Sequence, residues 1–361
     1  MCRGLVEHIL NNSDFKVLIS ARDRSAFQDI ASERIIVVPR RPWAVFRAIS
    51  KAEIVVQGGG TIFHDSYSQK IKLLRYWVNL ALWVSIFLWS RICGCRTLML
   101  GVGLVPQKYW PTRILTGAAL RLMHGVMVRD NASLEVAQRY CAGEQVVLAP
   151  DLSFDAPINR LSADNQSDEL AQPVDLAISL CDLAQFYGDR NHDQKYWQNL
   201  AAAINNLASK NSAQYKVALL NFFTGPNRHD GIAARDFAAM LNSDQIDIQI
   251  LDYETDPRPI LRIIRRCELF IATRFHAAVT GYILQRRLLL IAYNRKLNDF
   301  ADIIQLPATL IIPINHLVSE DEWLASIEHA LDLAEAEISR EHGIVSDLEQ
   351  NLDQILFGFS S

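Results

Sequence analysis

The chain has 361 residues, of which half are hydrophobic and 21% are charged, as in a globular protein with sizeable cores. That length is too great for one ordinary core and suits two domains. The net charge of −4 argues against a nucleic acid held by bulk electrostatics. Any anion-binding site must therefore be local and built from a few placed residues.

The six cysteines are scattered through apolar segments and lack the C-x2-C spacing of a zinc site. We therefore expect reduced thiols, a cytoplasmic protein and no bound metal. The first ten residues have the pattern of an amphipathic helix, so we expect no signal peptide.

Strand and helix patterns alternate through the first half of the chain. Strands are predicted at 15–20, 34–39, 52–57, 96–101, 126–129 and 146–149, and helices at 42–50, 76–89, 113–123 and 133–140, the last capped by Gly143. Such alternation indicates parallel strands joined by crossover helices.

The helix at 76–89 is rich in tryptophan and apolar residues. It is shorter than the roughly 18–20 apolar residues that a membrane span requires, and Asn79 and Ser85 interrupt it. Two interpretations stay open at this point. The helix is buried in a core, or it rests on the membrane interface, where tryptophans concentrate.

A polar stretch at 156–173 has the composition of a linker, and a second alternating series follows it. Its predicted strands are 174–180, 215–222, 246–251, 269–273 and 288–292, with helices at 194–209, 231–241, 257–266 and 275–284. The last part, 319–361, is predicted to be helical, because Ser319-x-x-Glu322 and Ser346-x-x-Glu349 both match the capping box.

The sequence therefore predicts an α/β protein with two Rossmann-like domains facing a cleft and a helical C-terminal tail. The predicted boundaries are 1–155 for the N-terminal domain, 156–173 for the linker, 174–318 for the C-terminal domain and 319–361 for the tail. Ligands of such sheets lie beyond the carboxyl ends of the strands, so we expect the site in the cleft.

Several first-half residues at predicted strand ends are candidates for binding a substrate. A glycine-rich run follows the strand at 52–57 and consists of Gly58, Gly59, Gly60 and Thr61. Glycines allow a tight turn whose amides can cradle an anion, and His64 and Asp65 come shortly after. This pattern is also typical of a plain turn.

The next predicted strands end in a similar way, at Gly101 and Gly103, at Arg129 and Asp130, and at Asp151. The glycines suit either an anion cradle or a packing turn. Arg129 suits a carboxylate or phosphate, or a simple ion pair with Asp130. Asp151 suits either a turn or an acid facing the site.

In the second half, Arg274 and His276 stand where a predicted strand gives way to a helix. Helix N-termini bind anions, because their first amides lack intrahelical acceptors and the helix dipole is positive there. Tyr293 and Lys296 follow the next strand in the same manner. For Lys296, the alternative is a solvated lysine in the first turn of a helix.

Six motifs occur in order: GGGTIFHD at 58–65, GVGLVP at 101–106, VRDxxS at 128–133, APDLSF at 149–154, RFHA at 274–277 and YxxK at 293–296. Together they resemble the polysaccharide pyruvyl transferase family, from the first helix to about Ile304. The resemblance implies a fold like that of the B-type glycosyltransferases.

The resemblance also implies phosphoenolpyruvate as donor, and as acceptor a sugar of a surface polysaccharide or its lipid-linked precursor. The product is a pyruvate ketal, and no metal or other cofactor is needed. For this chemistry His276 is the expected general acid, with Asp65 or His64 as the base. Arg274, Lys296 and Arg129 are expected to bind the donor, together with the glycine turns.

Two alternatives stay open: a nucleotide-sugar glycosyltransferase of the same fold, and a non-catalytic relative. Members of the family begin with a strand and an Asn-x-Gly-Asp turn before the first helix, and we hypothesise that this strand is missing here. A lipid-linked acceptor would fit a peripheral contact of the tryptophan-rich helix with the inner membrane face.

Overall fold

A computed structural model describes residues 2–21, 33–63, 70–152, 154, 173–183, 190–211, 213–222, 229–252, 258–333 and 343–357. The chain divides into two compact units. Unit 1 comprises 1–156 and 342–361, and unit 2 comprises 157–341. Most of the predicted linker, 156–173, lies outside the described residues.

Unit 1 contains six α-helices and six strands among the described residues. The helices are α1 (Cys2–Asn12), α2 (Pro42–Ile49), α3 (Lys70–Ile92), α4 (Trp110–Arg121), α5 (Asn131–Gln138) and α12 (Gly343–Phe357). The strands are β1 (Val17–Ala21), β2 (Ile35–Pro39), β3 (Ile54–Phe63), β4 (Arg96–Leu104), β5 (Gly125–Val128) and β6 (Val146–Leu148).

All strand pairs of unit 1 among the described residues are parallel, as the alternating pattern predicts. They form a four-stranded sheet in the order β3-β4-β5-β6 and a two-stranded sheet of β1 and β2. From Thr97 onward β4 is buried along its whole length, because helices cover both faces of a parallel sheet.

The glycine-rich segments lie inside strands, which corrects the prediction that they form turns after them. β3 continues through Gly58, Gly59 and Gly60 to Phe63, and β4 continues through Gly101 and Gly103 to Leu104. The φ angles of Gly59, Gly60 and Gly101 are +52°, +87° and +63°. Residues with a side chain rarely adopt positive φ angles, whereas glycine does so readily. The strand pairing shifts register at these glycines, so they bulge the strands without ending them.

The last helix, α12, belongs to unit 1 and not to the domain that precedes it in sequence. Arg96 donates from its guanidinium to the carbonyl oxygens of Ile355 at 2.6 Å and Leu356 at 3.0 Å. His8 and Asp353 make a contact of 2.9 Å. The segment predicted as a single helical tail is therefore divided between the two units.

Unit 2 contains a six-stranded sheet with helices between its strands. The strands are β7 (Val174–Ser179), β8 (Tyr215–Asn221), β9 (Ile246–Asp252), β10 (Cys267–Ala272), β11 (Arg287–Ala292) and β12 (Ile311–Pro313). The described helices are α6 (Arg190–Lys210), α7 (His229–Ala238), α8 (Arg258–Arg266), α9 (Phe275–Ile283), α10 (Arg295–Ile303) and α11 (Glu320–Asp332).

The strand order in unit 2 is β12-β11-β10-β7-β8-β9, and every pair is parallel. The chain runs outward from β7 to β9 and then returns to place β10 on the other side of β7. This is a doubly wound sheet whose order reverses between β7 and β10. Such a switch point leaves a crevice at the carboxyl ends of the two strands.

The two predicted capping boxes have different outcomes. At the start of α11, the Ser319 side chain accepts from the Glu322 amide, and Glu322 accepts from the Ser319 amide at 2.7 Å. Ser346, in contrast, lies within α12, which already begins at Gly343. The prediction of a second capping box, at Ser346, is therefore wrong. The prediction for Gly143 is also wrong, because Arg139 is the C-cap of α5 and Gly143 begins a short 3-10 helix.

The tryptophan-rich helix α3 spans Lys70–Ile92 and includes a segment, Leu73–Ile92, long and apolar enough to cross a membrane by length and composition. One side of α3 is nevertheless part of the core of unit 1, where Leu80 and Phe87 are each 1% exposed. Trp89 donates from its indole nitrogen to the carbonyl of Phe46 at 3.1 Å. Hence α3 has a buried side, as the first of the two interpretations requires.

Candidate functional site

The candidate site in unit 2 lies at the switch point, where Ser179 ends β7 and Thr273 follows β10. The Thr273 hydroxyl donates to the carbonyl oxygen of Ser179 at 2.6 Å and ties the two strand ends together. Thr273 and Ser179 are fully buried. This tie fixes the point at which the chain turns into α9, and with it the position of Arg274.

Arg274 is the N-cap of α9, with the extended backbone angles φ −91° and ψ 138°. Its guanidinium Nε donates to Oδ2 of Asp230 at 2.9 Å, and Nη2 donates to Oδ1 of the same carboxylate. The bidentate geometry holds the guanidinium plane in one orientation. The Asp230 side chain is fully buried and the Arg274 side chain is 21% exposed.

Two further groups contact or lie close to this ion pair. Arg274 Nη1 donates to the Tyr293 hydroxyl at 3.3 Å. Cys181, which is buried and follows the end of β7, lies close enough to Arg274 for each group to affect the pKa of the other. We call Arg274, Asp230, Tyr293 and Cys181 the switch-point cluster. Its members come from the ends of β10, β7 and β11 and from the first turn of α7, which follows β8.

The pKa values in the cluster follow from burial and mutual charge. Burial has the largest single effect and lowers the pKa of Arg274, but the hydrogen bonds to Asp230 and the neighbouring ionisable groups together raise that pKa above its usual value. Burial raises the pKa of the Cys181 thiol to about 12, although the Arg274 charge acts in the opposite direction. At neutral pH Arg274 is therefore a permanent cation and the Cys181 thiol is protonated.

Asp193, in the first turn of α6, lies close enough to Cys181 for its charge to affect the pKa of that thiol. Burial raises the pKa of the Asp193 carboxyl to about 6, against a hydrogen bond from Trp197 that lowers it. The Trp197 indole nitrogen donates to Asp193 Oδ1 at 2.9 Å. Asp193 thus exchanges a proton near neutral pH, as a general acid or base must.

His276 is in the first turn of α9, and its side chain is exposed. The amides of this first turn lack intrahelical acceptors, so the position of His276 coincides with the anion-attracting end of the helix. Its ring and that of Phe275 lie 5.7 Å apart. The structure thus brings His276 and Arg274 together at one corner of the sheet, as the sequence predicts.

Lys296 is exposed in the first turn of α10, whose N-cap is Asn294. The Asn294 side chain accepts from the Leu297 amide at 3.1 Å, which fixes the start of this helix directly after Tyr293. Tyr293 contacts Arg274, so the structure brings these two predicted residues together. The role of Lys296 stays a prediction.

Three of the predicted residues in unit 1 lie together at the carboxyl ends of β5 and β6. Arg129 Nη1 donates to Asp151 Oδ2 at 2.5 Å, and the two side chains are 8% and 2% exposed. Asp130 is 3.9 Å from Arg129 and caps α5 by accepting from the Ser133 amide at 2.7 Å. Arg129 is therefore held mainly by Asp151, which the sequence did not indicate.

The glycine segments differ in what surrounds them. A Cβ atom added at Gly101 would lie 2.6 Å from the Leu152 side chain. The lack of a side chain at this position therefore allows close packing. At Gly60 nothing lies within 4 Å of the added atom. Thr61 lies in β3, while His64 and Asp65 lie outside the described residues. Within the described part of the chain, no group of three or more His, Cys, Asp or Glu side chains is placed to hold a metal ion.

Sequence reasoning missed Asp230, Asp193 and Cys181. Asp230 stands in the first turn of the helix after β8, which is the same kind of position that identified Arg274 after β10. A systematic search of every strand-to-helix junction would therefore have found it. Nothing in the sequence around Asp193 indicates that its carboxyl is buried, because that depends on packing around α6.

A family model described as polysaccharide pyruvyl transferase matches residues 6–295, which is well over half of the chain. The chain belongs to the polysaccharide pyruvyl transferase family. The matched region of this pyruvyl transferase family member includes the whole switch-point cluster and His276, and ends one residue before Lys296. No curated protein sequence matches the chain.

Solved structures with a similar fold include two UDP-GlcNAc 2-epimerases. The one from Methanocaldococcus jannaschii has a TM-score of 0.67 at 11% identity, covering 99% of this chain and 96% of that chain. The one from Neisseria meningitidis, bound to UDP-GlcNAc, has a TM-score of 0.56 at 11% identity, covering 99% and 96%.

A glycosyltransferase from Rickettsia africae ESF-5 has a TM-score of 0.52 at 10% identity, covering 99% of this chain and 89% of that chain. At such low identity these likenesses show the fold alone. This pyruvyl transferase family member has the α/β fold of the B-type glycosyltransferases, which confirms the predicted fold class.

Proposed function

We propose that the chain transfers the pyruvyl group of phosphoenolpyruvate onto a sugar of a surface polysaccharide or its lipid-linked precursor, forming a pyruvate ketal. Membership of the family supports a transferase of this kind. The observation that carries the proposal is the fixed Arg274 guanidinium at the switch point, next to His276 and the N-terminus of α9.

The donor would bind through its two anionic groups. Because Asp230 balances the charge of Arg274, we assign Arg274 the task of orienting a carboxylate or phosphate by hydrogen bonds, while the amides of α9 supply positive potential. Lys296 would add a cation from the neighbouring helix. A small dianion suits this arrangement better than a bulky neutral ligand.

The proposed reaction requires one proton on carbon and two new carbon–oxygen bonds. His276 protonates the methylene carbon of phosphoenolpyruvate, and the neighbouring carbon becomes oxocarbenium-like. A sugar hydroxyl attacks that carbon, the bond to phosphate breaks, and a second hydroxyl of the same sugar closes the ketal. The proton of one sugar hydroxyl restores the proton that His276 gave to carbon. The proton of the other hydroxyl leaves with inorganic phosphate.

The decisive experiment measures phosphate release from phosphoenolpyruvate by the purified full chain, with a panel of galactose- and mannose-type acceptors. We expect release that depends on an acceptor. His276→Ala should lower kcat by roughly 100-fold or more, as expected for removal of a general acid. Arg274→Ala should lower kcat/KM by a similar factor, because it removes an orienting group.

Matched controls are His316→Ala and Arg295→Ala, which remove an exposed histidine and an exposed arginine of unit 2. Both should retain wild-type rates. Phosphate release unchanged in His276→Ala would contradict the role of His276. Release of nucleotide from a nucleotide sugar, with no phosphate release, would contradict the proposal and support a glycosyltransferase.

A further inference from the structure

Helices α3 and α4 of unit 1 expose an unusual number of large apolar side chains. Among them are Trp110 at 70%, Ile71 at 64% and Val78 at 62%. Together with others on the same two helices they define the α3–α4 face, which consists of Ile71, Leu74, Val78, Leu82, Trp110 and Ile114. Contiguous apolar surface of this kind marks an interaction site.

The two helices are neighbours, so their exposed faces adjoin. The Trp77 indole nitrogen donates to the Thr112 hydroxyl at 3.0 Å, and the rings of Trp77 and Tyr109 lie 6.1 Å apart. Val78 follows the first of these residues, and Trp110 follows Tyr109. The helical spacing of Ile71, Leu74, Val78 and Leu82 places these side chains along one side of α3.

The opposite side of α3 packs in the core of unit 1. Leu73, Leu80 and Phe87 are 7%, 1% and 1% exposed. Trp83 on the same helix is half-buried and packs on Phe87 with ring centroids 5.9 Å apart. Crossing a bilayer would remove these side chains from the core. The structure therefore favours a helix that lies on a surface over one that spans.

The charged residues of the segment that contains α3 and α4 are of one sign. From residue 66 to residue 129 the sequence contains no aspartate or glutamate but nine lysines and arginines, although the whole chain has a net charge of −4. Arg75 on α3 and Arg113 and Arg121 on α4 are exposed. A basic rim around an apolar face is complementary to an anionic lipid surface.

We propose that the α3–α4 face docks unit 1 on the surface of an anionic membrane. The aliphatic side chains and Trp110 enter the boundary between headgroups and acyl chains, while the arginines lie among the lipid phosphates. A second copy of this chain fits less well, because pairing two such faces would bring their cations together. The proposal does not depend on the chemistry proposed for the switch-point cluster.

The test is flotation of the purified full chain with vesicles of phosphatidylcholine alone or with 30% phosphatidylglycerol. We expect binding to the anionic vesicles that weakens as salt is raised. Leu74→Ser/Val78→Ser/Trp110→Ser should reduce partitioning roughly tenfold or more. Arg75→Gln/Arg113→Gln should reduce it by roughly fivefold per cation removed, and only for the anionic vesicles.

The matched control is Ile232→Ser/Ile303→Ser/Leu317→Ser, which removes three exposed apolar side chains from unit 2 and should float like the wild type. Circular dichroism of each variant verifies that it is folded. Absence of wild-type binding would overturn the proposal, as would equal flotation of the apolar triple variant. A wild-type dimer that becomes monomeric in that variant, without vesicle binding, would assign the face to a second copy instead.

Discussion

Asp230 determines the direction in which Arg274 points, because its buried carboxylate accepts two hydrogen bonds from one guanidinium. Asp230→Asn keeps the shape but removes one charge and one acceptor. We expect the free energy of unfolding to fall by about 1–3 kcal/mol, the cost of leaving a buried donor poorly satisfied. Urea unfolding measures this change, and phosphate release should fall with it.

The control for that variant is Asp236→Asn, an exposed position on the same helix, α7. It should leave unfolding within about 0.5 kcal/mol of the wild type. Equal behaviour of the two variants would show that the Asp230 pair does not organise the site.

Asp193 gives the protein a specific dependence on pH. Its pKa in the folded state is about 6, against an ordinary value of 3.8, so the folded chain holds an extra proton between about pH 4 and pH 6. Ionisation therefore opposes folding. The stability associated with this group is present below about pH 4 and is lost as pH rises to about 6.

Asp193→Asn retains an oxygen to accept from Trp197 and cannot ionise. We expect it to be more stable than the wild type at pH 7.5 by about 1 kcal/mol, after allowance for solvent screening of a partly buried carboxyl. The difference should narrow toward pH 4.5. Thermal unfolding at both pH values checks this, with the exposed Asp244→Asn as control. A difference that does not vary with pH would refute it.

At the scale of elements, α9 packs against the sheet through a glycine. A side chain at Gly281 would lie 2.6 Å from Phe270 on β10 and 3.3 Å from Leu288 on β11. We expect Gly281→Ala to cost about 1–3 kcal/mol through overpacking, although alanine would otherwise favour the helix. Chemical denaturation measures the loss. Gly143→Ala, where nothing lies within 4 Å, should cost little, and a similar loss in both would argue against overpacking.

The start of α11 depends on the capping box at Ser319. Its reciprocal hydrogen bonds with Glu322 also lower the pKa of that carboxyl. Ser319→Ala should cost about 1 kcal/mol of unfolding free energy, the usual value for loss of an N-cap. Ser346→Ala, inside α12, should be neutral or slightly stabilising. If both variants melted alike, the capping box would not contribute to stability.

Most elements were predictable from sequence, because buried parallel strands and amphipathic helices have distinct periodicities. The ends of β3 and β4 were not, since a glycine can bulge a strand or end it, and only pairing with the neighbouring strand decides which. Gln285 is a related case. It adopts a positive φ of 55° after α9, a conformation that glycine adopts more readily than glutamine.

At the scale of the whole molecule, unit 1 is completed by the last helix of the chain. Leu348 and Leu352 of α12 are fully buried, and Arg96 bonds to its final turn. We expect a fragment of residues 157–341 to unfold cooperatively by itself. A fragment of residues 1–156 should bind a hydrophobic dye, and joining residues 342–361 to it should suppress this binding. A dye-free, cooperative 1–156 fragment would contradict this.

The position of the switch-point cluster in unit 2 was partly predictable from the sequence. Arg274, His276 and Tyr293 are correctly placed at one sheet edge, because carboxyl ends of parallel strands share an edge. Asp230 and Asp193 were missed, since their importance depends on burial that only the fold creates. The pairing of Arg129 with Asp151 across two strands was missed for the same reason.

The return of α12 to unit 1 also sets an order of events during synthesis. Unit 2 is a single continuous stretch, so all of its strands have been made before residues 342–361 are translated. Residues 1–156 of unit 1 are translated before unit 2, yet their core is covered only by residues 342–361. Residues 1–156 thus emerge from the ribosome before the helix that covers their core, and we expect their apolar surface to need protection until residues 342–361 have been made.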